Sequence, residues 1–174
     1  MNSYAVFLRG INIKMAELKD ALASAGFAGA KTLLASGNVV LASEEEPAAV
    51  KQKFEECLRD TFGYDAWVVV LTAQRVAELV DACPYPEDDK STHTYITLSS
   101  DTARLDELDA AGAALEGSEQ KRLGPEALAW LAPAGGTLES PFSKVSAKAK
   151  FKASTTTRNL RTLIRVRDAA AALA

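Results

Sequence analysis

The sequence predicts an α+β protein built from two tandem ferredoxin-like (βαββαβ) plaits with a C-terminal helix. Between residues 4 and 71, runs of strand length alternate with helical patterns in the order β-α-β-β-α-β. A stretch at 84–89 with two prolines and three acids interrupts this pattern, and a strand–helix pattern restarts at Tyr95. We therefore predict a first unit with a connecting helix at 1–83 and a second unit with a basic C-terminal helix at 90–174.

The elements of the first unit follow from apolar periodicity and from glycine and proline positions. Gly26 and Gly63 are expected to end two helices, and Pro47 to begin the second of them. The turn Ser36-Gly37-Asn38 between two apolar runs predicts a hairpin. In chain order we predict a strand at 4–8, a helix with the apolar face Met15, Leu18, Leu22 and Ala25, strands at 31–35 and 39–42, a helix with the face Val50, Phe54, Cys57, Leu58 and Phe62, and a strand at 67–71.

The second unit is predicted from the same signals. Thr72 is expected to cap the connecting helix, and Asp101 to cap the helix that follows the next strand. Gly112 is expected to end that helix as Gly26 ends the first one, and this likeness suggests a duplication. In chain order we predict a connecting helix with the face Val76, Leu79 and Val80, a strand at 95–98, a helix with Leu105, Leu108 and Ala111, a hairpin at 120–123 and 128–131, a short helix at 143–150, an extended segment at 151–156 and a final helix at 158–173.

The composition is that of a soluble globular protein. Of the 174 residues, 48% are hydrophobic and 25% are charged, and we see neither a membrane span nor a signal peptide. Cys57 and Cys83 lie far apart and form no paired motif. Cys57 falls on an apolar helix face, so we expect a buried thiol there and a reducing, cytoplasmic setting.

Charge is unevenly distributed along the chain. Residues 143–168 hold eight basic residues and one acid, a net charge of +7, whereas the rest holds 12 basic and 22 acidic residues, a net charge of −10. Such a basic segment could meet a nucleotide or a nucleic acid. The alternative is a solvated helix that packs against its own acidic body.

The first candidate site follows from the stretch "FLRGIN" at 7–12. In a ferredoxin-like plait the end of the first strand lies beside the start of the third, where the first helix also begins. An arginine, free helix N–H groups and a glycine that admits close backbone approach together predict an anion site. The alternative is purely structural, with the glycines serving a turn and a hairpin. The residues of this predicted site are Arg9, Gly10, Asn12, Lys14, Ser36, Gly37 and Asn38.

The second candidate is the run Thr155-Thr156-Thr157-Arg158-Asn159. Arg158 and Asn159 could form a second wall of the anion site if the final helix folds back on the first unit. Arg158, Arg161 and Arg165 would form one stripe on that helix, suited to phosphates or simply to solvent. No aromatic residue interleaves with them, which disfavours single-strand stacking.

No motif of established chemistry is present in the sequence. His93 is the only histidine, and the sequence lacks a GxSxG elbow, a P-loop and a dinucleotide GxGxxG. We therefore predict no metal site and no cofactor.

Three segments carry a resemblance: "LRGIN" at 8–12 with "MAELKDALASAGF" at 15–27, "SGNVVL" at 36–41, and "TTTRNLRTL" at 155–163. From Tyr4 to about Ala170 the chain resembles the uncharacterised bacterial family called domain of unknown function 1697. The resemblance implies two tandem ferredoxin-like plaits and no established activity. That family often has a longer glycine-rich, basic loop after its "LRGIN", whereas here Ile13 and Lys14 run straight into Met15.

The leading functional hypothesis is a binding module for an anionic, phosphate-bearing ligand such as a nucleotide or nucleic acid, with no membrane partner. One alternative is a metal-independent enzyme that acts on a small anionic metabolite, although the sequence offers no evident nucleophile or general base. Another is an interaction module whose exposed sheet edges pair with a partner or form a homodimer.

Overall fold

The computed structural model describes residues 1–9, 13–34, 37–63, 65–87, 90–136 and 140–173. The chain forms two compact units, one made of Met1–Ala77 with Ile164–Ala174 and the other of Glu78–Leu163. Each unit holds a four-stranded sheet in which every described strand pair is antiparallel. The predicted α+β class is therefore confirmed, while the division into 1–83 and 90–174 stays a prediction about independently folding parts.

The first unit is built on a sheet with the strand order β2-β3-β1-β4. Its elements are β1 (Asn2–Leu8), α1 (Met15–Ser24), β2 (Lys31–Leu33), β3 (Asn38–Ser43), α2 (Pro47–Phe62) and β4 (Val68–Thr72), after which comes α3 (Ala73–Ala82). One face of this sheet packs with α1 and α2 in a core that includes Leu8, Leu22 and Phe54. Burial of these side chains stabilises the sheet and fixes which residues of β1 face the helices.

Helix ends in the first unit follow the predicted signals. Pro47 stands in the first turn of α2, where its missing N–H removes no hydrogen bond. The helix ends at Gly63, which has φ 75° and donates its N–H to the carbonyl of Arg59. Gly26, just after α1, also adopts a positive φ of 99°. Thr72 caps α3, because its Oγ1 accepts the N–H of Arg75 at 3.1 Å.

The second unit is built on a sheet with the strand order β6-β7-β5-β8. Its elements are β5 (Thr92–Leu98), α4 (Thr102–Ala113), β6 (Gln120–Gly124), β7 (Ala127–Pro133), α5 (Pro141–Ser146), α6 (Ala149–Lys152) and β8 (Thr156–Asn159), and the chain continues into α7 (Leu160–Ala171). Asp101 caps α4 by accepting the N–H of Arg104. The predicted cap is thus confirmed.

Aromatic stacking organises the core of the second unit. Tyr95 stacks on Trp130 with ring centroids 4.8 Å apart, and Trp130 lies at the same distance from Phe142. The buried indole N–H of Trp130 donates to Thr97 Oγ1 at 2.9 Å, which satisfies its hydrogen-bonding demand. These contacts tie β5 and β7 to α5.

Three expectations about the second unit were wrong. The helix expected at 143–150 is divided between α5 and α6, and α6 includes the first two residues of the segment expected to be extended at 151–156. Gly112 does not end a helix but lies inside α4, buried against the side chains of Gln120 and Phe142. Arg158 does not belong to the final helix but to β8, opposite Ile96. Pairing with β5 extends residues 156–159, and helical structure begins only at Leu160. Within the described ranges, no helix is long and apolar enough to cross a membrane.

Candidate functional site

The end of β1 lies beside the β2–β3 turn. Phe7 stands opposite Asn38 in the β1–β3 ladder, and the N–H of Leu8 donates to the carbonyl of Gly37 at 2.9 Å. Gly37 has φ 84°, and a Cβ there would lie 3.2 Å from Cβ of Leu8. Glycine suits this position for two reasons. It adopts the left-handed backbone conformation without strain, and it lets the two strands approach closely. The backbone neighbourhood expected from the sequence is present.

Asn38 supports this turn from inside. Its side chain is fully buried, and its amide donates to the carbonyl of Leu33 at 3.0 Å across the hairpin. A buried side-chain amide that donates a hydrogen bond to a backbone carbonyl stabilises the turn. Asn38 is thus placed to position the end of β1, and its direct contact with a ligand stays a prediction.

Arg9 follows β1 and makes a contact that sequence reasoning missed. Its guanidinium carbon lies 5.8 Å from the centroid of the Trp67 ring, within the range of a cation–π interaction. Arg9 is half-buried, and among the described residues it has no carboxylate partner. A guanidinium attracted to the face of an indole still has N–H groups that can donate to an anion.

The pairing of β1 with β4 explains this contact. Leu8 stands opposite Val68, so the next residues outward, Arg9 and Trp67, continue the same antiparallel register. Side chains alternate along strands, so we infer that Arg9 points away from the face on which Leu8 packs with α1. Lys14 is exposed and occupies the N-cap position of α1 without a side-chain cap bond. It is therefore a less direct candidate than Arg9.

Three residues of the predicted site, Gly10, Asn12 and Ser36, lie outside the described residues. The site that can be built from the described chain consists of Arg9, Trp67 and the backbone at Gly37, with Asn38 beneath it. We call this set the Arg9–Trp67 site.

Arg158 lies in the second unit and is buried, with 5% of its surface exposed. It donates to Thr156 Oγ1 at 2.6 Å and to the carbonyl of Thr157 at 3.0 Å. Burial lowers the pKa of Arg158 to about 10, since the interior disfavours the charged form. The guanidinium thus remains charged at neutral pH, and its hydrogen bonds tie it to its own strand.

Asn159, the last residue of β8, caps the start of α7. Its Oδ1 accepts the backbone N–H of Arg161 at 2.8 Å and lies 3.4 Å from Nε of the same residue. This is an N-cap interaction, which stabilises the first turn of the helix. It gives Asn159 a local structural role.

The chain matches the model of a protein family described as "Protein of unknown function (DUF1697)" over residues 1–128. The chain belongs to this family. The match spans every element of the first sheet and reaches into β7, whereas β8 and α7 lie beyond it. The resemblance inferred from the sequence is therefore confirmed. No curated protein matches this member of the family.

Among solved structures, this member of the family is similar to the conserved bacterial protein SP0830 from Streptococcus pneumoniae. The two chains are 20% identical, the alignment covers 98% of each, and the TM-score is 0.81. At this level of identity the likeness concerns the fold alone. It supports the α+β architecture over nearly the whole length of both chains.

Neither thiol is set up for chemistry in this family member. Both cysteines are free, with Cys57 buried and Cys83 half-buried. Burial raises the pKa of each thiol, so both are protonated at neutral pH. Among the described residues, no group of three His, Cys, Asp or Glu side chains could hold a metal ion.

Trp67 is the residue of the candidate site that sequence reasoning overlooked. It had been assigned to a buried strand because four apolar residues follow it. In the structure β4 begins one residue later, at Val68, and Trp67 is only half-buried. A large aromatic residue at the start of an edge strand was the available signal, because such a position leaves a ring partly open to solvent.

Proposed function

We propose that this protein is a binding module for an anionic, phosphate-bearing ligand, and that the Arg9–Trp67 site is where the ligand binds. The proposal takes each unit to be a ferredoxin-like plait, in line with the order of its elements and strands. It takes the cytoplasm as the setting, in line with two free cysteines.

The observation that carries the proposal is the state of Arg9. Arg9 is a half-buried arginine over a tryptophan ring, and among the described residues it has no carboxylate partner, so its N–H groups are placed to donate to a ligand. Phosphate oxygens suit such a donor, because a guanidinium can give two parallel N–H bonds to them. The contact with Trp67 restricts the Arg9 side chain and so reduces the conformational entropy lost on binding.

The backbone around Arg9 supports the same proposal. Asn38 fixes the hairpin, and the Gly37–Leu8 bond fixes the strand end from which Arg9 extends. A charge on a rigid strand end is held in place before a ligand arrives, which favours affinity. Lys14 is a second, less direct cation for the same ligand, and its contribution has to be measured separately.

The experiment compares Arg9→Gln with a control, Arg165→Gln. Arg165 is exposed and has no carboxylate partner among the described residues, so the two substitutions change the net charge equally. Pyrophosphate and adenosine nucleotides serve as probes in titration calorimetry. We expect Arg9→Gln to weaken binding at least tenfold, since a hydrogen bond to a charged group contributes about 1.5–3 kcal/mol. Arg165→Gln should bind as the unmodified protein does.

Salt provides a second criterion. Contacts between arginine and phosphate weaken as salt rises, because the charges are screened. The proposal fails if none of the probes binds, if both variants lose affinity equally, or if affinity holds steady from low to physiological salt.

A further inference from the structure

The basic residues near the C-terminus differ in burial and in their partners. From Ser140 to Arg167 the sequence has eight basic residues and no acidic one. Arg158 is buried in β8, and Arg167 lies 3.0 Å from the carboxylate of Asp168. Lys150 lies 3.2 Å from the carboxylate of Glu107 on α4. These three side chains are already engaged within the protein.

Three lysines of the same segment differ from them. Lys144 in α5, Lys148 between the two short helices and Lys152 at the end of α6 are all exposed. Among the described residues, none of the three has a carboxylate partner. We call these residues the lysine surface.

The lysine surface is held in place by the core beneath it. Phe142 and Phe151 on the same two helices are 2% and 1% exposed, and both belong to the core of the second unit. The N–H of Lys152 donates to the carbonyl of Lys148 at 2.9 Å, so these two residues lie one helical turn apart. The positive charge is therefore concentrated on an anchored segment rather than spread along a free tail.

The side chains around the lysine surface indicate what kind of partner it could bind. Its two aromatic residues are buried, so no ring is available to stack on an unpaired base. Large exposed hydrophobic residues, which would insert into a lipid surface, are absent from the described part of this segment. Exposed lysines without an aromatic or apolar side chain beside them suit contact with a dense row of phosphates, which a duplex presents at one charge per roughly 1.7 Å of its axis.

We propose that the lysine surface binds the phosphate backbone of a nucleic-acid duplex without reading its sequence. This site lies in the second unit and is independent of the Arg9–Trp67 site in the first. Three lysine–phosphate contacts release counterions, so the slope of log K against log salt should be about −2 to −3. Binding of this kind is measurable at low salt and is largely lost at physiological salt.

The experiment uses the full chain and fluorescence anisotropy with a short labelled DNA duplex. The test variant is Lys144→Gln, Lys148→Gln and Lys152→Gln combined. The control combines Lys19→Gln, Lys31→Gln and Lys121→Gln, which remove the same charge from exposed lysines without carboxylate partners among the described residues. Since all six residues are exposed, both variants should fold, and circular dichroism checks that they do.

We expect the test variant to lose about tenfold or more in affinity near 50 mM salt and to lose most of its salt slope. The control should keep the slope of the unmodified protein and most of its affinity. Pyrophosphate binding at the Arg9–Trp67 site should be unchanged in the test variant, which separates the two proposals. The inference is overturned if the unmodified protein does not bind the duplex, or if both variants lose affinity alike. Tighter binding to a single strand or to anionic vesicles overturns it as well.

Discussion

The guanidinium of Arg9 lies over the ring of Trp67, with its central carbon 5.8 Å from the ring centroid. The two residues are 58 positions apart in sequence, yet each is the first residue beyond a paired position, because Leu8 and Val68 stand opposite each other in the ladder. The cation–π contact therefore lies at the end of the β1–β4 ladder. It restricts the side chain of Arg9 near the end of β1.

Trp67→Leu should weaken binding of a phosphate-bearing probe by about fivefold, because a cation–π contact at a partly exposed site contributes about 1 kcal/mol. Trp67→Phe should keep most of the affinity, since a ring remains beneath the guanidinium. Calorimetric titration with pyrophosphate measures both. In an Arg9→Gln background the Trp67→Leu change should have little further effect. An equal loss in both backgrounds would show that Trp67 does not act through Arg9.

Asn38→Ala should lower the free energy of unfolding by about 1 kcal/mol or more, because it removes the hydrogen bond from the buried Asn38 amide to the carbonyl of Leu33. Urea denaturation measures the change. Asn2→Ala is the matched control in the same sheet, since Asn2 is exposed, and we expect a change below about 0.5 kcal/mol. Similar values for the two variants would contradict the role assigned to Asn38.

Gly112→Ala should destabilise the protein even though alanine is the better helix former by about 1 kcal/mol. A Cβ at this position would overlap the side-chain amide of Gln120 and lie 2.7 Å from the ring of Phe142. Overpacking of this kind costs about 1–3 kcal/mol, which thermal unfolding would detect. Adding Gln120→Ala should recover part of the loss by opening space. If the Gly112→Ala protein is as stable as the unmodified protein, steric crowding is not the reason for glycine at this position.

Arg158→Met tests the buried guanidinium through pH. Burial lowers the pKa of Arg158 to about 10 in the folded protein, below its value in the unfolded chain, so both states are protonated below about pH 9. The stability difference between the unmodified protein and the variant should therefore stay constant from about pH 6 to 9. Above about pH 10 the folded state loses its proton first, and the difference should move in favour of the unmodified protein. Urea titrations across this range measure it, and a drift below pH 9 would contradict the assignment.

Local signals in the sequence predicted the local features well. Thr72 and Asp101 each accept a backbone N–H at the start of the helix that they were expected to cap. Gly63 ends α2, and Gly37 lies in the β2–β3 turn with a positive φ. These positions could be predicted because the cause lies within a few residues of the effect.

Features that depend on tertiary neighbours were not predictable in the same way. Gly112 resembled a residue that ends a helix. Glycine is needed there because the side chains of Gln120 and Phe142, from other elements, leave no room for a Cβ. Arg158 fitted a helical stripe, and only pairing with β5 makes it part of a strand. Trp67 could be placed beside Arg9 only once the register of β1 and β4 was known. In each case the decisive contact joins residues remote in sequence.

The unit that begins the chain also contains Ile164–Ala174, while Glu78–Leu163 forms the other unit in between. During synthesis on the ribosome, the intervening unit therefore emerges completely before the first one has received its last eleven residues. The first unit thus begins to be synthesised before the second but receives its last residues after it. Once Leu163 has emerged from the ribosome, all residues of the second unit are outside it, while the first unit still lacks its last eleven residues. The first unit to emerge is therefore the last to become complete.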